Sequence, residues 1–408
     1  MNKISKFVRV PLLQRVVSVS ASNAGSFAAL KAECIPSPII PEGNTFAEDL
    51  GAIQPYFLPR GEDDELSPRI GHDSARLPPP MSSISRTTLR DSSVDGIDRE
   101  YDEDGDGEAV KEDISTILSL IDLLDCDALQ RKSGRQGVFV ETNLAYGGDV
   151  MIAVDSIFEF PVHRVILASR SPVLNDVILG KRIGDPAGRL RCYMVDSGPA
   201  SFTPVMFLSG LHPLSALLLA VYLYTDDIPA IWDRRVFSLV SDRLVECSPR
   251  TNALSIRDDL RSLSSLLQLP ALGEALNATV KRPLAPSLTY DMKALLERSL
   301  RGNNTPISHP LAPDTILELG DAHVWCHSTI LRARSPFFAA LFGDPDWTIN
   351  RRRHDSTLAV KFEHRRLRVM EYILRFIYIG GDEQLFAILG ERLKPFPLTF
   401  IQIFYNLA

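Results

Sequence analysis

One ten-position pattern stands twice in this chain, as His163-Arg-Val-Ile166-Leu167-Ala-Ser-Arg170-Ser171-Pro172 and as His327-Ser-Thr-Ile330-Leu331-Arg-Ala-Arg334-Ser335-Pro336. His, Ile, Leu, Arg, Ser and Pro agree at all six shared places, with one constant offset. A short apolar helix closed by Ser-Pro is a structural device. Ser caps the next helix, and Pro occupies its first position, where a missing N–H costs nothing. A structural device used twice predicts two copies of one module.

The flanking segments repeat in the same order. Ahead of the first pattern, Asp149–Val154, a turn at Asp155-Ser156 and Ile157–Pro161 read as a hairpin. Ahead of the second, Asp314–Leu319, a turn at Gly320-Asp321 and His323–Cys326 do the same. Downstream come the apolar helix 214–224, ending at Thr225-Asp226-Asp227, and its counterpart Leu367–Tyr378, closed by Gly380-Gly381. Thr357–Phe362 alternates as a strand. The first copy continues into a helical pair over 255–279, interrupted at Pro270, and the second copy lacks it.

This order, with His-x-x-Ile-Leu-x-x-Arg-Ser-Pro in both copies, resembles the BTB/POZ domain. The resemblance rests on Asp149, His163, Leu167, Ser171, Pro172 and Leu223-Tyr224, and on Asp314, His327, Leu331, Ser335, Pro336 and Ile377-Tyr378. It implies an α+β fold of two modules, each a small sheet flanked by helices, the second truncated. The expected division is a propeller-type repeat remnant over 1–33, a disordered Pro/Ser-rich and acidic linker over 34–113, and a first BTB/POZ domain with helical extension over 114–290. A linker follows at 291–310, then the second domain at 311–386 and a divergent apolar tail at 387–408. The remnant, which lacks the usual Gly and His, is similar to a regulator-of-chromosome-condensation repeat. The whole arrangement is similar to the carboxyl-terminal half of proteins of the inhibitor of Bruton tyrosine kinase type; one propeller repeat alone would not be stable, so the chain is expected to be a fragment or an incomplete gene model.

The resemblance further implies a non-catalytic adaptor that self-associates through its BTB modules and, as many members do, recruits cullin-3 to a ubiquitin ligase, with the substrate unknown. The family's hydrophobic-x-Glu motif falls on Phe342-Gly343-Asp344 in the second copy and on Leu179-Gly180-Lys181 in the first. Phe342, Asp344 and Tyr378 are therefore the candidate partner-binding residues, Phe342 and Tyr378 as anchors and Asp344 as an orienting rim charge. The competing reading makes Phe342 a core or capping residue and Asp344 a turn acid.

Other signals compete with this reading. Residues 1–32 hold five basic residues and no acid, as a mitochondrial transit peptide does, yet the Val–Ser alternation at 16–20 followed by Phe27–Leu30 reads as a strand pair. Asp102, Asp104, Asp106, Gly107 and Asp113 fit a calcium-loop spacing, although the preceding segment is a poor entering helix. Ile114, Ile117, Leu118, Ile121 and Leu124 predict an amphipathic helix whose apolar face packs in a core. Asp226-Asp227 reads as a solvated turn. Arg351, Arg352, Arg353, Lys361, Arg365, Arg366 and Arg368 form a basic cluster. It suits an acidic partner, or, in a scaffold or chromatin-associated factor, nucleic acid; no base-reading helix accompanies it. A net charge of −7 argues against general nucleic-acid binding.

His163 and His327 stand at helix starts, where structural hydrogen bonding outweighs a general-base role, and no catalytic order, phosphate loop or zinc spacing appears. No enzyme activity, cofactor or metal is expected. Five scattered cysteines read as reduced thiols, and no apolar run reaches the roughly 20 residues of a membrane span. A cytoplasmic or nuclear protein without membrane contact is expected.

Overall fold

In a computed structural model, the residues described are 16–21, 27–31, 45–56, 106–132, 148–155, 157–195, 203–247, 251–282, 284, 286–301, 309–353 and 357–380. They fall into two units, 1–43 and 44–408. The first contains an antiparallel hairpin, β1 (Val16–Ala21) with β2 (Phe27–Lys31), whose register shifts between Val16 and Ser18. The strand pair expected there is present.

The second unit is mixed α and β. A five-stranded sheet has the order β4-β3-β7-β6-β5, with β3 Val150–Val154, β4 Phe158–Val162, β5 Ile183–Gly184, β6 Arg191–Val195 and β7 Val205–Ser209. A three-stranded sheet has the order β10-β8-β9, with β8 Thr315–Leu319, β9 His323–Cys326 and β10 Leu358–Phe362. In both, an antiparallel hairpin is flanked by a strand that runs parallel to the hairpin's first strand: β7 beside β3, and β10 beside β8. Burial explains the apolar runs, since all five residues of β3 are buried.

The two hairpins differ by one residue. Between Val154 and Phe158 the chain turns through Asp155 in a left-handed conformation (φ 46°). Between Leu319 and Ala322 it turns more tightly, and a Cβ on Gly320 would lie 2.4 Å from the Glu363 carbonyl oxygen. Only glycine fits that approach.

Helices follow each hairpin in the same order: α3 (Arg164–Arg170) and α4 (Pro172–Ile178) after the first, α10 (Ser328–Arg334) and α11 (Pro336–Gly343) after the second. The apolar helices are α5 (Pro213–Thr225) and α13 (Leu367–Ile379). Every residue from Leu214 to Tyr224 is buried, so α5 lies within the core rather than over it. The predicted helical pair is α7 (Ala253–Leu266) and α8 (Pro270–Asn277), with Pro270 at the start of α8.

Several expectations fail. The linker placed at 34–113 contains α1 (Phe46–Ala52), and residues 106–113 at its end belong to α2 (Asp106–Lys132), which packs on α5 and on α6 (Arg234–Cys247). Asp106, Gly107 and Asp113 thus lie in one continuous helix instead of a bent calcium loop, and Asp113 accepts from the Ala230 N–H (2.9 Å) and from Lys281 (2.5 Å). Asp102, Asp104 and the tail 387–408 lie outside the described residues. The linker placed at 291–310 begins as α9 (Leu288–Leu300), and α12 (Pro345–Arg351) was not anticipated.

Candidate protein-interaction site

The recurring histidines are structural. His163 and His327 cap α3 and α10 in extended conformation with no side-chain capping bond. Each backbone N–H instead donates to a buried tyrosine: His163 to Tyr224 Oη (2.9 Å) and His327 to Tyr378 Oη (2.8 Å). Each tyrosine oxygen also lies by its histidine's Nδ1, at 2.8 and 3.0 Å. The hydroxyl accepts from the backbone, and its own proton is free to point at Nδ1. The Leu311 carbonyl, which can only accept, lies 3.4 Å from Nε2 of His327 and favours a hydrogen there, which leaves Nδ1 to accept from the hydroxyl. Burial holds the His327 imidazole below its ordinary pKa and pushes the Tyr378 phenol up.

An aspartate before each hairpin does the capping. Asp149 Oδ1 accepts the Arg164 N–H and Asp314 Oδ1 the Ser328 N–H, both at 2.7 Å. Asp149 also pairs with Arg164 Nε at 2.7 Å, whereas Asp314 takes the Ser328 hydroxyl. Burial, and then the charge of Asp314, raise the Asp149 carboxyl.

Arg170 and Arg334 are both buried. Arg170 donates to the Leu223 carbonyl (3.1 Å), the Ser287 hydroxyl (2.9 Å), Asp291 (2.5 Å) and Asp226, and it lies 5.5 Å from the Tyr222 ring centroid. Asp226 is no solvated turn, for its second oxygen caps α9 by accepting the Ser287 (2.5 Å) and Leu288 (2.6 Å) N–H groups. Arg334 meets Asp49 and lies over the rings of Phe46 (5.5 Å) and Phe376 (5.4 Å). Ser171 caps α4 at Leu174 N–H (3.1 Å) and donates to the Leu267 carbonyl (2.8 Å), tying the helical extension to α4. Ser335 is the N-cap of α11 without a side-chain capping bond.

The three candidate contact residues do not form one surface. Tyr378 is fully buried and engaged with His327, so it cannot be a partner anchor. Phe342 is 8% exposed, its ring stacked on Phe338 (centroids 5.6 Å) and tilted against Trp347 (6.1 Å), as a core residue is. Asp344 is exposed but caps α12, accepting from the Asp346 (3.0 Å) and Trp347 (3.2 Å) N–H groups. In the first copy Leu179 is 50% exposed and Lys181 pairs with Asp176 at 2.7 Å. Two exposed apolar residues that the sequence did not single out lie on these helices: Ile349, 71% exposed on α12, and Phe337, 38% exposed on α11. Asp344-Pro345 is an N-cap followed by an N1 proline, the signal that α12 starts there.

The basic cluster is partly neutralised, Arg353 by Glu318 and Lys361 by Glu363 (3.8 Å), while Arg351, Arg366 and Arg368 are exposed. Among the described residues no group of His, Cys, Asp or Glu could hold a metal, and no helix is long and apolar enough to cross a membrane.

Residues 306–385 match the BTB/POZ domain. This match takes in β8 through α13. Over 386 residues the chain is also 25% identical to BTB/POZ domain-containing protein 1 of Schizosaccharomyces pombe (strain 972 / ATCC 24843), an alignment covering 95% of this chain and 24% of that relative. The chain thus spans about a quarter of the length of the curated relative it matches.

Proposed function

We propose that the chain is a tandem BTB adaptor, its first module built around His163 and its second around His327, and that the second recruits cullin-3 to a ubiquitin ligase. The observation that carries this reading is the BTB/POZ match at 306–385, together with the exposed apolar Ile349 of α12 and Phe337 of α11. Paired His–Tyr and Asp–helix contacts in both copies support the tandem assignment. The contact is an apolar anchor with an acidic rim, Asp344 and Asp346, which steers a basic partner face. Phe342 contributes by holding α11 and α12 together through Phe338 and Trp347.

Pull-down of cullin-3 by the chain and by Ile349→Asp and Asp346→Lys variants tests it. Reduced recovery with both variants is expected. Equal recovery with all three chains removes this surface from the interface, and no recovery by the unaltered chain removes cullin-3.

A further inference from the structure

Two helices outside the repeated segments straddle them. α1 precedes the first repeat, yet it packs on α10 of the second as well as on α5 of the first. Its Asp49 pairs with Arg334, and its Phe46 lies under the same guanidinium. A few residues on, Tyr56 is fully buried in the first repeat, edge-on to Phe160 (5.4 Å) and Tyr224 (6.3 Å). α9 precedes the second repeat and packs on its β9 and α13, but also on α3 and α5 of the first, where Asp291 meets Arg170. The exchange is reciprocal. The helix ahead of each repeat gives an aspartate to the buried arginine of the other.

The approach to α9 is pinned to the first repeat. Lys281 reaches Asp113 (2.5 Å) and Asp227 (2.7 Å), its N–H reaches Asp233 (3.3 Å), and Asp226 takes the N–H groups of Ser287 and Leu288. α9 is therefore delivered by the same chain that builds the Arg170 socket. Asp149 and Asp314, the equivalent capping acids, lie close enough for one charge to act on the other. Removing one partner of a buried ion pair is strongly destabilising, so Asp49 holds α1 on Arg334, and Asp291 adds to the Asp226 that Arg170 already meets within the first repeat.

We propose that residues 45–56 and α9 clasp the two repeats together within one chain, filling in cis the arginine sockets that a second copy would otherwise enter. The unit is then one chain, and it presents a single α11–α12 surface of the second repeat. The stoichiometric consequence, one cullin-type partner per chain, rests on the proposed function. The clasp does not.

Light scattering on the full 408-residue chain should return the mass of one chain, 45.3 kDa, at every dilution, and two differently tagged copies should not co-purify. A two-chain mass with co-purification overturns the clasp. Asp49→Arg and Arg334→Asp should each speed amide exchange across 45–56 by about tenfold or more, and the double charge swap should restore protection. Circular dichroism confirms folding, and Asp49→Asn serves where the reversal does not fold. Unchanged exchange in folded single variants overturns the proposal. A one-chain mass without cullin-3 binding sinks the proposed function alone, and a two-chain mass with cullin-3 binding sinks the clasp alone.

Discussion

The hydroxyl of Tyr378 joins the last turn of α13 to the first residue before α10, accepting the His327 N–H at 2.8 Å and meeting Nδ1 at 3.0 Å. Tyr224 makes the same pair of contacts to His163. Each repeat is thus locked between its first and last helices by one buried oxygen that serves two nitrogens.

Replacing Tyr378 by Phe leaves a buried N–H and a buried imidazole nitrogen without their partner. The expected loss is about 1–3 kcal/mol, read from the denaturation midpoint in urea. Tyr224→Phe should cost a similar amount, since its geometry is the same.

The contribution of His212 to stability should fall as the solution is acidified. The His212 ring nitrogen accepts the Leu214 N–H at 3.2 Å, and burial lowers its pKa from 6.5 to about 4. The neutral ring is the folded form, so the unfolded chain takes up the proton first. This contribution is fully present above pH 6.5 and declines toward pH 4, by at most about 1.4 kcal/mol per pH unit. His327 adds to the same trend below its ordinary value. His212→Asn keeps a capping side chain without the titration. The difference in unfolding free energy between variant and wild type, measured from pH 7 to 4, should therefore follow the histidine and not Asp259, which is present in both.

The capping acids set the starts of α3 and α10. Asp314→Ala should lower stability by about 0.5–2 kcal/mol, as loss of an N-cap does, and Asp314→Asn should recover part of it. Thermal melts at neutral pH decide this.

Phe342→Ala should destabilise by about 3–5 kcal/mol, because it empties the space between Phe338 and Trp347. Ile349→Asp, at an exposed site, should leave the melting temperature nearly unchanged. Partner binding lost through Phe342 is then accompanied by unfolding, and binding lost through Ile349 is not.

Local chemistry was the part of the fold legible in the sequence. Ser171-Pro172, the alternation of Leu358–Phe362 and the Gly380 stop each act within a few residues of themselves. The missed elements depend on distant partners. α9 is capped by Asp226 rather than by its own Ser287, so no local N-cap announces it. α1 did carry a signal, the Thr45–Glu48 capping box, with Glu48 N–H donating to Thr45 at 3.2 Å, but the surrounding prolines and serines drew the segment into a linker. Tyr378 reads as an anchor because an aromatic at the end of an apolar helix does not by itself show whether it points out or in, and burial places it inside. The histidine it serves lies on another helix.

Calorimetric titration of the full chain with the amino-terminal domain of cullin-3 tests the adaptor reading most directly. The reading predicts saturable binding at one cullin domain per chain, weakened about tenfold or more by Ile349→Asp at unchanged melting temperature. Absence of binding up to roughly 100 μM, or equal affinity for the folded variant, would contradict it.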